Sequence, residues 1–171
     1  MDEPPSTSAA STCVVGADEQ ADVAVDVDRW CRLAGDVIVS EGALGELTLT
    51  FVDRDEITRL NREHLGVDRP TDVLSFPLDT SDAAVPAGVP LLLGDVVVCP
   101  VVAADQATEH AGTLDDELAL LVVHGVLHVL GHDHATDGET QAMQTREREL
   151  LERHHWDGPT PPGFRQEHED G

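Results

Sequence analysis

His124, His128 and His134 fall within one short stretch that reads H-x-x-x-H-x-x-G-x-x-H. Each imidazole can offer a lone pair to a divalent ion. Three neutral imidazoles leave the fourth tetrahedral position open, the composition of a catalytic rather than a closed structural zinc site. An ion held in this way lowers the pKa of a bound water to roughly 7 and polarises a carbonyl or phosphoryl oxygen. The chemistry expected of the stretch is hydrolysis assisted by Zn2+, or by another divalent metal.

That chemistry needs the rings aimed at one point, and the local sequence supplies a means. Thr113-x-x-Asp116 has capping-box form and precedes the apolar run Leu118 to Val123, so the pattern predicts a helix that contains His124 and His128. Residues four apart share a helix face, which projects both rings the same way. Gly131 stands where a left-handed residue past the helix end is expected; the turn there brings His134 back toward the pair. His132 is the competing third donor, and Asp133 is a candidate general base or a partner that orients a ligand imidazole. The same spacing occurs in metzincin proteases, which carry a glutamate general base directly after the first histidine. Here that residue is Gly125, so peptide hydrolysis by that route is not expected.

Other elements frame this helix. Trp30, Leu33, Ala34, Val37 and Ile38 recur at helical spacing between Val27 and Ser40. Leu47 to Val52 alternates apolar residues with threonine, the period of a strand with one buried face, and a short strand is also expected at Thr12 to Val15. Asp55 to His64 reads as a helix stopped by Gly66. Pro70 to Pro77 holds a strand bracketed by prolines, which places it at a sheet edge, where an extended ligand could bind. Leu78 to Pro90 reads as a flexible loop, Leu91 to Val98 as a strand covered on both faces, and Val101 to His110 as a helix opened by Pro100. Glu139 to His154 is expected to be a charged helix with Met143, Leu150 and Leu151 inward. Residues 1–11 and 157–171 have the composition of disordered tails, which leaves 12–156 as a single domain.

Composition bounds the function classes. The formal charge of −24 opposes a polyanionic substrate, and all ten cationic side chains are arginine. Four of these, Arg54, Arg59, Arg62 and Arg69, share a locally neutral segment with Asp55, Glu56, Glu63 and Asp68. Cys13, Cys31 and Cys99 show no C-x-x-C spacing, which points to a reducing compartment without disulfides. There is no signal-like N-terminus, and the longest apolar run is broken by His124 and His128, so a cytoplasmic protein with no membrane association is expected.

His-Gly-x-Leu-His-x-x-Gly-x-Asp-His at 124 to 134, Pro-Thr-Asp-Val-Leu-Ser-Phe-Pro at 70 to 77 and Leu-Gly-Asp-Val-Val-Val at 93 to 98 occur in that family's order and resemble the signatures of the YbeY family, bacterial endoribonucleases of ribosomal RNA maturation. The departures are Val129, usually leucine, His132, usually tyrosine, and Leu65, which stands where the family has an arginine before Gly66. The resemblance implies an α/β (α+β) fold in one domain, with a small, mostly parallel mixed sheet of about four strands and five helices. The metal site would lie on a central helix and the turn after it, with His124, His128 and His134 as ligands. It further implies cleavage of single-stranded RNA in maturation of the 3′ end of the small-subunit ribosomal RNA and in ribosome quality control, with ribosomal RNA, the ribosome or ribosomal proteins as partners. Arg62 or Arg69 would stand in for the missing arginine and neutralise phosphate charge, and Ser75 would touch the substrate. Two alternatives stay open: a zinc metallopeptidase with a non-standard base, and a non-catalytic zinc-stabilised module that binds the ribosome.

Overall fold

A computed structural model describes residues 12–78, 91–132 and 135–166. The chain runs β1 (Thr12–Asp18), α1 (Val27–Ser40), β2 (Gly45–Phe51), α2 (Arg54–Leu65), β3 (Val73–Pro77), β4 (Leu92–Val98), α3 (Pro100–Gln106), a 3-10 turn (Ala107–Glu109), α4 (Leu114–Val129) and α5 (Asp137–His154). The four strands lie in the order β1-β2-β4-β3. β1, β2 and β4 are parallel, while β3 joins antiparallel to β4 and forms one edge. This is the expected mixed, mostly parallel sheet, and the proline-bracketed segment is at its edge as its composition required.

Alternation sorts the strand residues between two layers. Leu47, Leu49 and Phe51 of β2 and Val96 and Val98 of β4 face the main core, where they meet Trp30, Leu33, Val37 and Ile38 of α1. Leu74 and Val97 face the other way and pack with Val52, Ile57 and Cys99 beneath α2. α4 lies against the main face and is buried almost all round, with Leu118 to Val123, Val126 and Leu127 fully enclosed. Each such side chain contributes about 1.5–3 kcal/mol relative to exposure. The helix that carries the histidines is therefore firmly seated in the core.

The ends of α4 follow from its sequence. The Thr113 hydroxyl accepts a hydrogen bond from Asp116 N at 3.1 Å, and Asp115, Asp116 and Glu117 occupy the first turn, where negative charge complements the helix dipole. Past the last turn, Gly131 sits at φ 106°, a conformation that L side chains rarely adopt.

Several elements differ from expectation. β1 continues beyond Val15 to Asp18, because its parallel register with β2 runs on to Asp18 opposite Phe51. The helix expected over Val101 to His110 resolves into α3 and the 3-10 turn. α5 starts earlier than Glu139, since Thr136 and Glu139 form a reciprocal capping box. The segment expected as a disordered tail from Asp157 packs back as far as Gln166. Phe164 stacks edge-on against Trp156 at 4.9 Å, Arg165 N donates to His110 O at 2.9 Å, and Gln166 is only 8% exposed. The tail residues 1–11 and 167–171 and most of the expected loop, 79–90, lie outside the described residues.

Candidate metal centre

His124 and His128 sit one turn apart on α4, with ring centroids 4.7 Å apart in an edge-to-face arrangement. Both line a cleft of about 400 Å3, whose other walls are Asn61 and Leu65 of α2, the connection from Val67 to Asp72, and Val73, Leu74 and Ser75 of β3. His134 and Asp133 lie outside the described residues. Among the described residues no group of three or more His, Cys, Asp or Glu side chains gathers at a single point.

Behind His124 stands a residue that sequence reasoning missed. Glu147 of α5 is 1% exposed, and its Oε2 lies 2.5 Å from His124 Nδ1. A carboxylate accepts, so the ring donates through Nδ1–H and keeps its lone pair on Nε2, the usual arrangement for a metal-ligating histidine. Two imidazoles on one helical stripe, one of them backed by a buried carboxylate, fit a divalent metal such as zinc. The signal was present in the sequence. Glu147 stands four residues after Met143 and three before Leu150, on the inward stripe of α5, where a lone glutamate needs a polar partner.

His132, the competing donor, is turned elsewhere. Its Nε2 lies 2.8 Å from Glu41 Oε1, and Arg146 Nε donates to Glu41 Oε2 at 2.6 Å. Burial raises the Glu41 pKa, but the hydrogen bonds from Arg146 and His132 outweigh it and hold the carboxyl below its ordinary range.

Gly125 explains the spacing between helix and sheet. A Cβ at this position would come within 2.7 Å of Val96 Cγ1 and 3.4 Å of both Ser75 Oγ and Val73 Cγ2. α4 approaches the sheet so closely here that no side chain fits, and a glutamate base at this point has no space. Ser75 uses the same proximity, its hydroxyl donating to Gly125 O at 3.2 Å.

Val73, Leu74 and Ser75 of β3 line the cleft, and among the described strands none lies beyond β3. Cys99 N donates to Asp72 O at 2.9 Å and Leu78 N donates to Leu93 O at 3.1 Å, which fixes which residues of β3 bond inward. By the alternation of an antiparallel ladder, Val73 and Ser75 turn their N–H and C=O groups away from β4. Asp72, which also lines the cleft, is held from behind, because Gln106 Nε2 donates to its Oδ2 at 2.7 Å and to Glu117 Oε2 at 2.7 Å.

The arginines divide clearly. Arg54 pairs with Asp105, Arg59 with Glu56 and Glu63, and Arg62 with Asp68 at 3.2 Å. Arg62 is absent from the described cleft walls; it points out from α2 because the loop after the helix brings Asp68 to it. Arg69 lines the cleft, and its backbone is anchored by buried Asn61, whose Nδ2 donates to Arg69 O at 2.9 Å. Leu65 also reaches the cleft and is 61% exposed.

The sequence profile of the YbeY family, described as endoribonuclease YbeY, matches residues 16–155. A protein of Stutzerimonas stutzeri named endoribonuclease YbeY is 44% identical over 131 residues, which cover 77% of this chain and 78% of that protein. Another of that name from Salinispora tropica is 42% identical over 136 residues, covering 74% and 87% respectively. The solution structure of TM1509 from Thermotoga maritima matches with a TM-score of 0.55 at 25% identity, over 89% of this chain and 99% of that one.

Proposed function

Since the chain belongs to the YbeY family of endoribonucleases, we propose that it cleaves single-stranded RNA in the cleft between α2, β3 and α4, with His124, His128 and His134 holding one zinc ion. The metal would serve as a Lewis acid that polarises a phosphoryl oxygen. The observation that carries this reading is the pair His124 and His128, one turn apart and facing the same cleft as Arg69 and the outer side of β3.

The chain's own residues have distinct tasks. Glu147 fixes the His124 ring so that Nε2 is the nitrogen with the lone pair. Arg69 offers a planar, permanently charged fork to a phosphate and neutralises charge that grows on it. The outward N–H groups of Val73 and Ser75 can hydrogen-bond an extended strand of nucleotides. The Ser75 hydroxyl has its proton committed to Gly125 O, so it meets a ligand as an acceptor, for example of a ribose hydroxyl. The wider role would be in maturation of small-subunit ribosomal RNA and ribosome quality control in the cytoplasm. No helix among the described residues is long and apolar enough to cross a membrane.

The test incubates the purified protein with single-stranded RNA and with casein, each with and without a chelator. Cleavage of RNA alone, lost with chelator and in His128→Ala at unchanged circular dichroism, is the expected result. Casein cleavage would favour a peptidase. Binding to ribosomes without cleavage of either substrate would favour a non-catalytic module.

A further inference from the structure

The buried glutamate behind His124 is itself held by the end of the chain. Gln166 Nε2 donates to Glu147 Oε1 at 3.0 Å and to Gln144 O at 2.7 Å, while Arg148 donates to Gln166 Oε1 at 2.9 Å. A backbone acceptor on one side and a guanidinium on the other leave the amide a single orientation, with its nitrogen toward Glu147. The two carboxylate oxygens of Glu147 therefore have separate partners, His124 Nδ1 and the Gln166 amide. Both side chains are almost wholly enclosed, at 1% and 8% exposure. Packing of the segment beyond α5 seats this amide: Phe164 stacks on Trp156, and the Thr160 hydroxyl and amide both donate to Glu152 Oε2.

The geometry points to a positioning role for the C-terminal segment: Gln166 occupies Glu147 Oε1 and so holds the side chain with its other terminal atom on His124 Nδ1, which leaves the lone pair of the neutral ring on Nε2 as long as that atom is an acceptor. Its consequence for metal binding rests on the proposed role of His124, but the tautomer itself does not. The relay makes a specific statement about an isosteric change. In Glu147→Gln the Gln166 amide still donates toward the Oε1 position, so the new side chain places its oxygen there and its NH2 against His124 Nδ1. The ring must then accept at Nδ1 and carry its proton on Nε2, the opposite tautomer, with no change of volume in the core.

Ring 15N spectra of the histidine-labelled, zinc-free protein read this directly, and competition of zinc with a chromophoric chelator reads the affinity. The expected wild-type His124 is the Nδ1–H tautomer; Glu147→Gln inverts it because Gln166 orients the new amide, and Gln166→Ala keeps it because the Glu147 carboxylate can only accept. Zinc affinity falls at least tenfold in Glu147→Gln and by a smaller factor in Gln166→Ala, within the range found for partners of metal ligands. Thermal unfolding of both zinc-free variants is measured alongside, and spectra with all other histidine signals in place establish that the fold persists. An unchanged tautomer in Glu147→Gln overturns the relay, even if the wild type binds zinc and cleaves RNA. A wild type that binds no zinc but whose tautomer inverts in Glu147→Gln sustains the relay and defeats the metal reading instead.

Discussion

Gly125→Ala is the substitution for which the structure gives the sharpest expectation. On an exposed helix it would stabilise by about 1 kcal/mol, the difference in helix propensity between alanine and glycine. Here the new methyl lies 2.7 Å from Val96 Cγ1, on a stiff β-branched side chain in an interior strand. Relief requires α4 or β4 to move, and overpacking of this kind costs about 1–3 kcal/mol. The net expectation is a loss of up to about 2 kcal/mol, with each kcal/mol lowering Tm by about 2–4 °C in a chain of this size. The displaced helix carries His124 and His128 on either side of the new methyl, and a misplacement of 1 Å can cost about 100-fold in rate. Differential scanning calorimetry of the zinc-free protein, together with single-stranded RNA cleavage, measures both effects. Val96→Ala in the same chain should recover part of the loss, with a coupling of about 0.5–3 kcal/mol between the sites. A Tm raised by the full propensity gain, with cleavage unchanged, would refute the close approach as the reason for this glycine.

The remaining expectations concern charge and the cleft wall. Arg69→Ala should make the slope of log RNA affinity against log salt more positive by about 0.7, the loss of one single-strand phosphate contact, whereas Arg62→Ala, paired with Asp68 away from the described cleft walls, should leave the slope unchanged. Leu65→Arg places a guanidinium at an exposed position on the cleft wall and should make the slope more negative by about the same amount while raising affinity at low salt. Asn61→Ala removes the anchor of the Arg69 backbone and should cost about 1 kcal/mol in urea unfolding. Glu41 has a folded pKa below its ordinary 4.5, so between the two values the unfolded state binds the extra proton. Its stabilisation is therefore complete above about pH 4.5 and lost as the pH falls through the folded value. Glu41→Gln should accordingly lose less stability than the wild type on acidification below pH 4.5, read by thermal melts at successive pH values.

Local pattern made much of this molecule legible. The bounds of α1 followed from apolar spacing, the edge position of β3 from its two prolines, and the helix under His124 and His128 from Thr113 and the run after it. What escaped is non-local. His132 meets Glu41 across 91 residues, and no periodicity near either one discloses the other. The segment after α5 reads as a tail because proline, glycine and acid dominate it. Two of the chain's few aromatic residues, Trp156 and Phe164, nonetheless flank it and supply a small apolar contact that holds it in place. Glu147 was hidden by its neighbours in Arg146-Glu-Arg-Glu149, which look like a solvated run until the stripe from Met143 to Leu150 is traced through them.

The formal charge of −24 and an RNA substrate are reconciled by where the charges lie. The described walls of the cleft carry one acid, Asp72, and one cation besides the histidines, Arg69; the acid is engaged from behind by Gln106. A strand of RNA that reaches the cleft thus meets backbone donors, imidazoles and one guanidinium rather than a carboxylate surface. The opposition comes from the field of the whole chain, which acts at long range and is screened beyond about 10 Å at 0.1 M salt. The contact with Arg69 is short in range and weakens with salt only by its own counterion term. The two dependences have opposite sign, so wild-type binding should change little between low and moderate salt, unlike that of a basic nuclease. It follows that a steep fall of affinity with salt would require a cationic surface that no group of described residues provides, and would place the RNA somewhere other than this cleft.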